Sequence, residues 1–161
     1  MIVILIGCKN GNQLISYNPF QPNYSLKTKT IKENGFKLKW ADGGLNTYSI
    51  DKVDYELCFF EDYLKPGKII GENYDFHIDT IKSYNWEMND SLKIDFKKYR
   101  DRIEKIISQF DGILIEPSIS SSIGDFKFTV SYLNDSIYDC RLNYNPDGIL
   151  NLTIENWYEK K

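Results

Sequence analysis

Histidine is almost missing from this chain: His77 is the only one in 161 residues. Zinc sites built on two or three histidines are therefore excluded, as is an iron site of two histidines and a carboxylate. A Ser–His–Asp or Cys–His pair would have to use His77 as its base. No serine or cysteine stands in a strand–turn–helix elbow that would present it as a nucleophile. Cysteine is scarce too: Cys8, Cys58 and Cys140 form no CxxC pair and would leave an odd thiol after any pairing. Disulfide frameworks use dense, even cysteines, so the expectation is buried strand thiols in a reducing, cytoplasmic setting. Long apolar runs are lacking. The opening MIVILIG has no basic flank and reads as a first buried strand, and nothing after it is long enough to span a bilayer. Phosphate loops are missing as well, because Pro66-Gly67-Lys68 is followed by Ile69 where a hydroxyl residue is required. There is no calcium loop, internal repeat, heptad array or linker. A single globular domain over residues 1–161, with no cofactor, is the resulting expectation.

Aromatic residues, by contrast, are plentiful: 3 Trp, 12 Tyr and 9 Phe, which favours β structure. Within that background one amphipathic stretch stands out. Phe96, Tyr99, Ile103, Ile106 and Phe110 recur at spacings of three and four, with Ile107 widening the stripe. The spacing predicts a helix from an Asp95 N-cap to a closing Gly112, with solvated pairs Asp101–Lys105 and Arg100–Glu104 on its outer side.

Strand signals surround it. Asn10-Gly11 suits a hairpin between Ile2–Ile6 and Leu14–Tyr17, and Pro19 and Pro22 end the pairing. Residues 27–40 read as a second hairpin turning at Glu33-Asn34-Gly35, with Phe36, Leu38 and Trp40 facing one way and Lys37 and Lys39 the other. A weak strand over Asn46–Ile50 and a stronger one over Tyr55–Tyr63 follow, broken by Pro66-Gly67. Residues 74–82 alternate, placing Tyr74, Phe76 and Ile78 on one face and Asp75, His77 and Asp79 on the other. Ile113–Ile115 reads as a buried strand and Ser118–Gly124 as a loop. The final third reads as a meander, with inward rows Phe126, Phe128, Val130, Tyr132, then Cys140, Leu142, Tyr144, then Leu150, Leu152, Ile154. Asn145-Pro146-Asp147-Gly148 is a bulged-hairpin turn. The expected fold is α+β: a mostly antiparallel β-sheet, made of hairpins plus a C-terminal three-strand meander, packed against one principal α-helix.

Charge is unevenly spread. Residues 1–50 hold six lysines against two acids, and residues 51–90 hold ten acids against four lysines. That acidic middle suggests a negative surface of Asp54, Glu56, Asp62, Asp75, His77 and Asp79, with Tyr48, Tyr55 and Tyr63 nearby as aromatic anchors. Such a surface would suit a basic protein partner and disfavours direct contact with nucleic acid. Two other readings stay open. Asp75, His77 and Asp79, joined by Glu56 or Asp54, could hold a divalent cation or activate His77 in a metal-dependent enzyme. Exposed tyrosines and Trp40, Trp86 or Trp157 could instead stack a small ligand in a β-rich binding module.

In profile, as a small, acidic, tyrosine-rich α+β protein without a catalytic motif, the chain resembles bacterial toxin-immunity proteins. The resemblance implies a non-enzymatic cytosolic protein that binds a cognate toxin domain and occludes its active site. Many such toxins are nucleases with basic clefts, which would suit residues 51–90.

Overall fold

The computed structural model describes residues 17–52, 54–81, 94–115, 120–122, 125–132, 136–145 and 147–158. Expectations for Ile2–Ile6, the Asn10-Gly11 turn, Cys8 and Trp86 lie outside these residues. So do those for the side chains of Phe126 and Tyr132. The described elements are α1 (Thr28–Glu33), β1 (Lys37–Asp42), β2 (Leu45–Asp51), β3 (Tyr55–Asp62), β4 (Ile69–Thr80), α2 (Phe96–Ser108), β5 (Ile113–Leu114), β6 (Ser120–Ser122), β7 (Asp125–Tyr132), β8 (Ser136–Tyr144) and β9 (Ile149–Trp157). The strands form one antiparallel sheet in the order β1-β2-β3-β4-β9-β8-β7-β5, with β6 also pairing with β7. The twelve-residue β4 joins the two halves, pairing with β3 on one side and β9 on the other. No described helix is long and apolar enough to cross a membrane.

Alternation divides the sheet into two faces. Leu57, Phe59, Tyr74, Phe76, Leu142, Leu150, Leu152 and Ile154 are buried on one of them. Both helices lie on that face. Helix α2 supplies buried Tyr99, Ile103 and Ile107, and its flanking rings Phe96 and Phe110 sit 5.3 Å from Phe128 and 5.7 Å from Phe76. Burying each of these side chains is worth about 1.5–3 kcal/mol. Asp95 caps α2 as its sequence suggests, accepting from the Lys97 N–H at 3.1 Å.

Several expectations are corrected. The helix ends at Ser108, and Asp111 rather than Gly112 takes the left-handed conformation, at φ 61°. Gly112 is needed for a different reason. A Cβ there would lie 2.5 Å from Ile107 Cγ2 and 2.9 Å from Phe20 Cε2, so only glycine lets the chain turn under the helix end. Gly112→Ala is therefore expected to destabilise the protein by about 1–3 kcal/mol, measured as a lower midpoint in chemical denaturation. Arg100 and Glu104 pair at 2.9 Å, whereas no ion pair joins Asp101 to Lys105.

Residues 28–33 are helix, not the first arm of a hairpin. The Gly35 N–H donates to the Lys32 carbonyl and the Phe36 N–H to the Ile31 carbonyl, with Gly35 at φ 90°. Asn34-Gly35 thus closes a helix through the paired bonds that left-handed glycine allows. Among the described residues the expected principal helix, α2, is joined by a shorter one, α1. Residues 120–122, expected in a loop, pair as β6. Ile113, expected to be buried, is 69% exposed on the short strand β5. The β7–β8–β9 meander follows its expected rows, with Phe128, Val130, Cys140, Leu142, Tyr144, Leu150, Leu152 and Ile154 all buried. At its turn the Gly148 N–H donates to the Asn145 carbonyl, with Gly148 at φ 76°.

Candidate functional site

The residues expected to form one acidic and aromatic patch are divided by the fold. Glu56 and Asp75 are directly paired across β3 and β4 and lie on the face opposite the helices. Asp62, paired with Leu45 at the far end of β3, faces the same side, where its Oδ1 accepts from the Leu64 N–H. Asp54 sits beyond the other end of β3. It lines a cleft of about 610 Å³ with His77, Asp101, Arg102 and Lys105, over a floor of Phe76 and Ile106. Tyr55 points into the core, its ring 4.9 Å from Phe76 and 6.0 Å from Tyr74. Tyr63 is exposed in the turn after β3.

Asp75, His77 and Asp79 do not share a face. The β4–β9 register shifts between His77 and Asp79, so Asp79 stands opposite the buried Leu150 on the helix side. There its Oδ2 accepts from the Tyr99 hydroxyl at 2.8 Å and from Lys98 Nζ at 3.1 Å. Hydrogen bonds from Tyr99, Lys98 and the Thr80 N–H hold its pKa down at about 2. Asp79 is thus a positioning group for α2. Asp75 instead accepts from the Thr153 hydroxyl at 2.6 Å and from Asn73 Nδ2 at 2.7 Å, and burial raises its pKa. His77 Nε2 lies 2.9 Å from the Thr80 hydroxyl, and its carbonyl accepts from Arg102 Nη2 at 3.1 Å. Among the described residues, no three His, Cys, Asp or Glu side chains converge as a metal site would require. Burial pushes the Cys58 thiol up to about 12 and raises that of Cys140, so both are packing groups at neutral pH.

A second bulge builds what alternation missed. The β1–β2 register shifts between Leu38 and Trp40, which turns Trp40 to the side opposite the helices, away from Leu38. Cross-strand pairing then aligns Trp40, Thr47, Phe60, Gly71 and Trp157 across β1, β2, β3, β4 and β9. The Phe60 and Trp157 rings stack over Gly71, with centroids 5.1 Å apart and planes at 17°. A Cβ on residue 71 would lie 3.0 Å from Trp157 Cε3 and 3.3 Å from Phe60 Cδ2, so glycine is what lets these rings close over the strand. Trp40 remains 46% exposed and Trp157 40% exposed. Trp157 at that exposure, held by its stack on Phe60, gives apolar area at little entropic cost.

No family model, curated protein or solved structure matches the chain.

Charged groups flank this aromatic row. Asp51, Glu56, Asp62, Asp75, Asp139 and Glu155 face the same side by register, against Lys37, Lys39 and Arg141. Lys39 Nζ is bound to Glu56 Oε1 at 2.5 Å, and Arg141 Nη2 lies 3.7 Å from Glu155 Oε2. Among these described residues, acids outnumber bases by two to one. Three of the five acids named from the sequence belong to it; its exposed aromatics are Trp40 and Trp157 rather than Tyr55 and Tyr63.

Proposed function

We propose that this chain is a non-enzymatic binding protein that engages a basic protein partner with the sheet face opposite its helices. The observation that carries this reading is the row Trp40–Phe60–Trp157, partly exposed, stacked at Phe60 and Trp157, and sharing its face with several carboxylates. Buried aromatic anchors supply most of the free energy at protein interfaces, and surrounding charge steers the encounter. A toxin domain acted on in the cytosol, as the profile resemblance to immunity proteins suggests, has the required chemistry: a folded surface whose active cleft is basic. An uncharged planar ligand stacked on the same two indoles is the competing reading. The carboxylates beside them favour the cationic protein.

Size-exclusion chromatography and calorimetry with the protein encoded by the adjacent gene test the proposal. Trp40→Ala and Trp157→Ala are each expected to weaken the complex by roughly thirtyfold, the scale of an interface hot spot. Raising ionic strength should weaken it further through screening. Unchanged affinity in both tryptophan variants would overturn the use of this face.

A further inference from the structure

Beside the aromatic row, strands β8 and β9 carry a hollow of about 190 Å³ lined by Asp139, Cys140, Arg141, Thr153, Glu155 and Trp157. Its walls are unlike one another. One is the exposed indole of Trp157, held in place by its stack on Phe60. The carboxylates of Asp139 and Glu155 line it as well. The floor is closed, since Thr153 and Cys140 are 4% and 1% exposed and the Thr153 hydroxyl is bound to Asp75. Arg141 Nη2 lies 3.7 Å from Glu155 Oε2, beyond hydrogen-bond distance, so that carboxylate can still accept. An indole beside two carboxylates attracts a cation by the ring quadrupole and by charge together. A planar guanidinium meets both, stacking on the ring while donating to Glu155.

We infer that this hollow is an arginine pocket: one arginine side chain of the partner enters between Trp157 and Glu155 and fixes where the partner docks. The inference rests on the reading of this face as a protein-binding surface and assigns the chemistry of its anchor. Arg141 shares the lining and lies 3.7 Å from Glu155. Asp139 adds a second negative charge for an incoming guanidinium.

The pocket is testable on the isolated protein. The indole N–H of Trp157, identified by its loss in Trp157→Phe, is followed by NMR while Nα-acetyl-arginine methylamide is added. The neutral citrulline analogue, of nearly the same shape, is titrated in parallel. The expected result is a saturable shift with the arginine compound, binding at least about fivefold weaker with citrulline, and loss of that preference in Asp139→Asn/Glu155→Gln. An equal response to the two compounds, or none, overturns the pocket. With the partner itself, Asp139→Asn/Glu155→Gln should lower affinity by about tenfold or more. If that variant binds as well as the parent while Trp157→Ala does not, the pocket is wrong and the binding face stands. If neither change matters, the face falls as well.

Discussion

Glu61→Ala is expected to destabilise the protein by about 4 kcal/mol, because a nearly buried carboxylate with four donors cannot be removed without orphaning them. Glu61 is 4% exposed. Its Oε1 accepts from the Thr28 hydroxyl at 2.5 Å and the Gly67 N–H at 2.7 Å, and its Oε2 from the Tyr48 hydroxyl at 3.0 Å and Asn46 Nδ2 at 3.1 Å. Those donors come from α1, the turn after β3 and strand β2, so one side chain ties three segments together. Burial alone would raise its pKa, but the bonds from Thr28, Gly67, Asn46 and Tyr48 outweigh it and leave the pKa lowered. Because the folded value lies below the ordinary 4.5, the stability it contributes is present above pH 4.5 and is lost as pH falls through the folded value. Glu61→Gln keeps one oxygen and should cost about half as much. Urea denaturation at neutral pH measures both losses. A cost below about 1 kcal/mol for alanine would mean that water replaces the carboxylate.

What the sequence made legible, and what it did not, follows from the length scale of each signal. Helix α2 was readable because five apolar residues hold one period for four turns and Asp95 offers a cap. The meander was readable because every second residue of β8 and β9 is apolar and a Pro-Asp-Gly turn separates them. A bulge leaves no comparable trace. One extra residue at Lys39 moves Trp40 across the sheet, and one before Asp79 moves that carboxylate under the helix. Counting by twos therefore placed Trp40 with Leu38 and Asp79 with Asp75, and both were wrong. The same count succeeded for Glu56 and Asp75, because no register shift separates their strands at that point. At Asn34-Gly35 the ambiguity is chemical: a left-handed glycine closes a helix as readily as it turns a hairpin. The row Trp40–Phe60–Trp157 spans 118 sequence positions and exists only through pairing, so it had no local pattern to find. A glycine within a strand, at Gly71, was the one available hint that a side chain lies over the backbone.

Glu72 is expected to make this protein more stable at pH 5 than at pH 8, the reverse of what its many ionised carboxylates would suggest. It is 1% exposed on the helix side of β4, where it accepts from the Tyr158 hydroxyl at 2.6 Å and weakly from Asn156 Nδ2 at 3.4 Å. Glu61 has four donors, whereas these two do not repay the loss of water around a charge. Burial pushes the Glu72 carboxyl up to about 7, with the Tyr158 and Asn156 bonds opposing it only in part. The unfolded chain releases that proton near the ordinary 4.5, so between the two values the folded state binds more protons. The contribution is fully present below pH 4.5 and is lost as pH rises through about 7, a swing of about 3 kcal/mol. Asn156 also donates to the Pro19 carbonyl, and the Tyr158 N–H donates to the Ile70 carbonyl, so ionisation strains the contact of the 17–26 segment and the end of β9 with the sheet. Glu72→Gln, which is neutral throughout, should flatten the profile between pH 5 and 8 and exceed the parent in stability at pH 8. Denaturation midpoints across that range read the effect, and a variant that tracks the parent at every pH would show that the carboxyl is hydrated in place. The Glu61 contribution changes only below pH 4.5, so acid titration of the two single variants separates a carboxylate the fold needs charged from one it needs neutral.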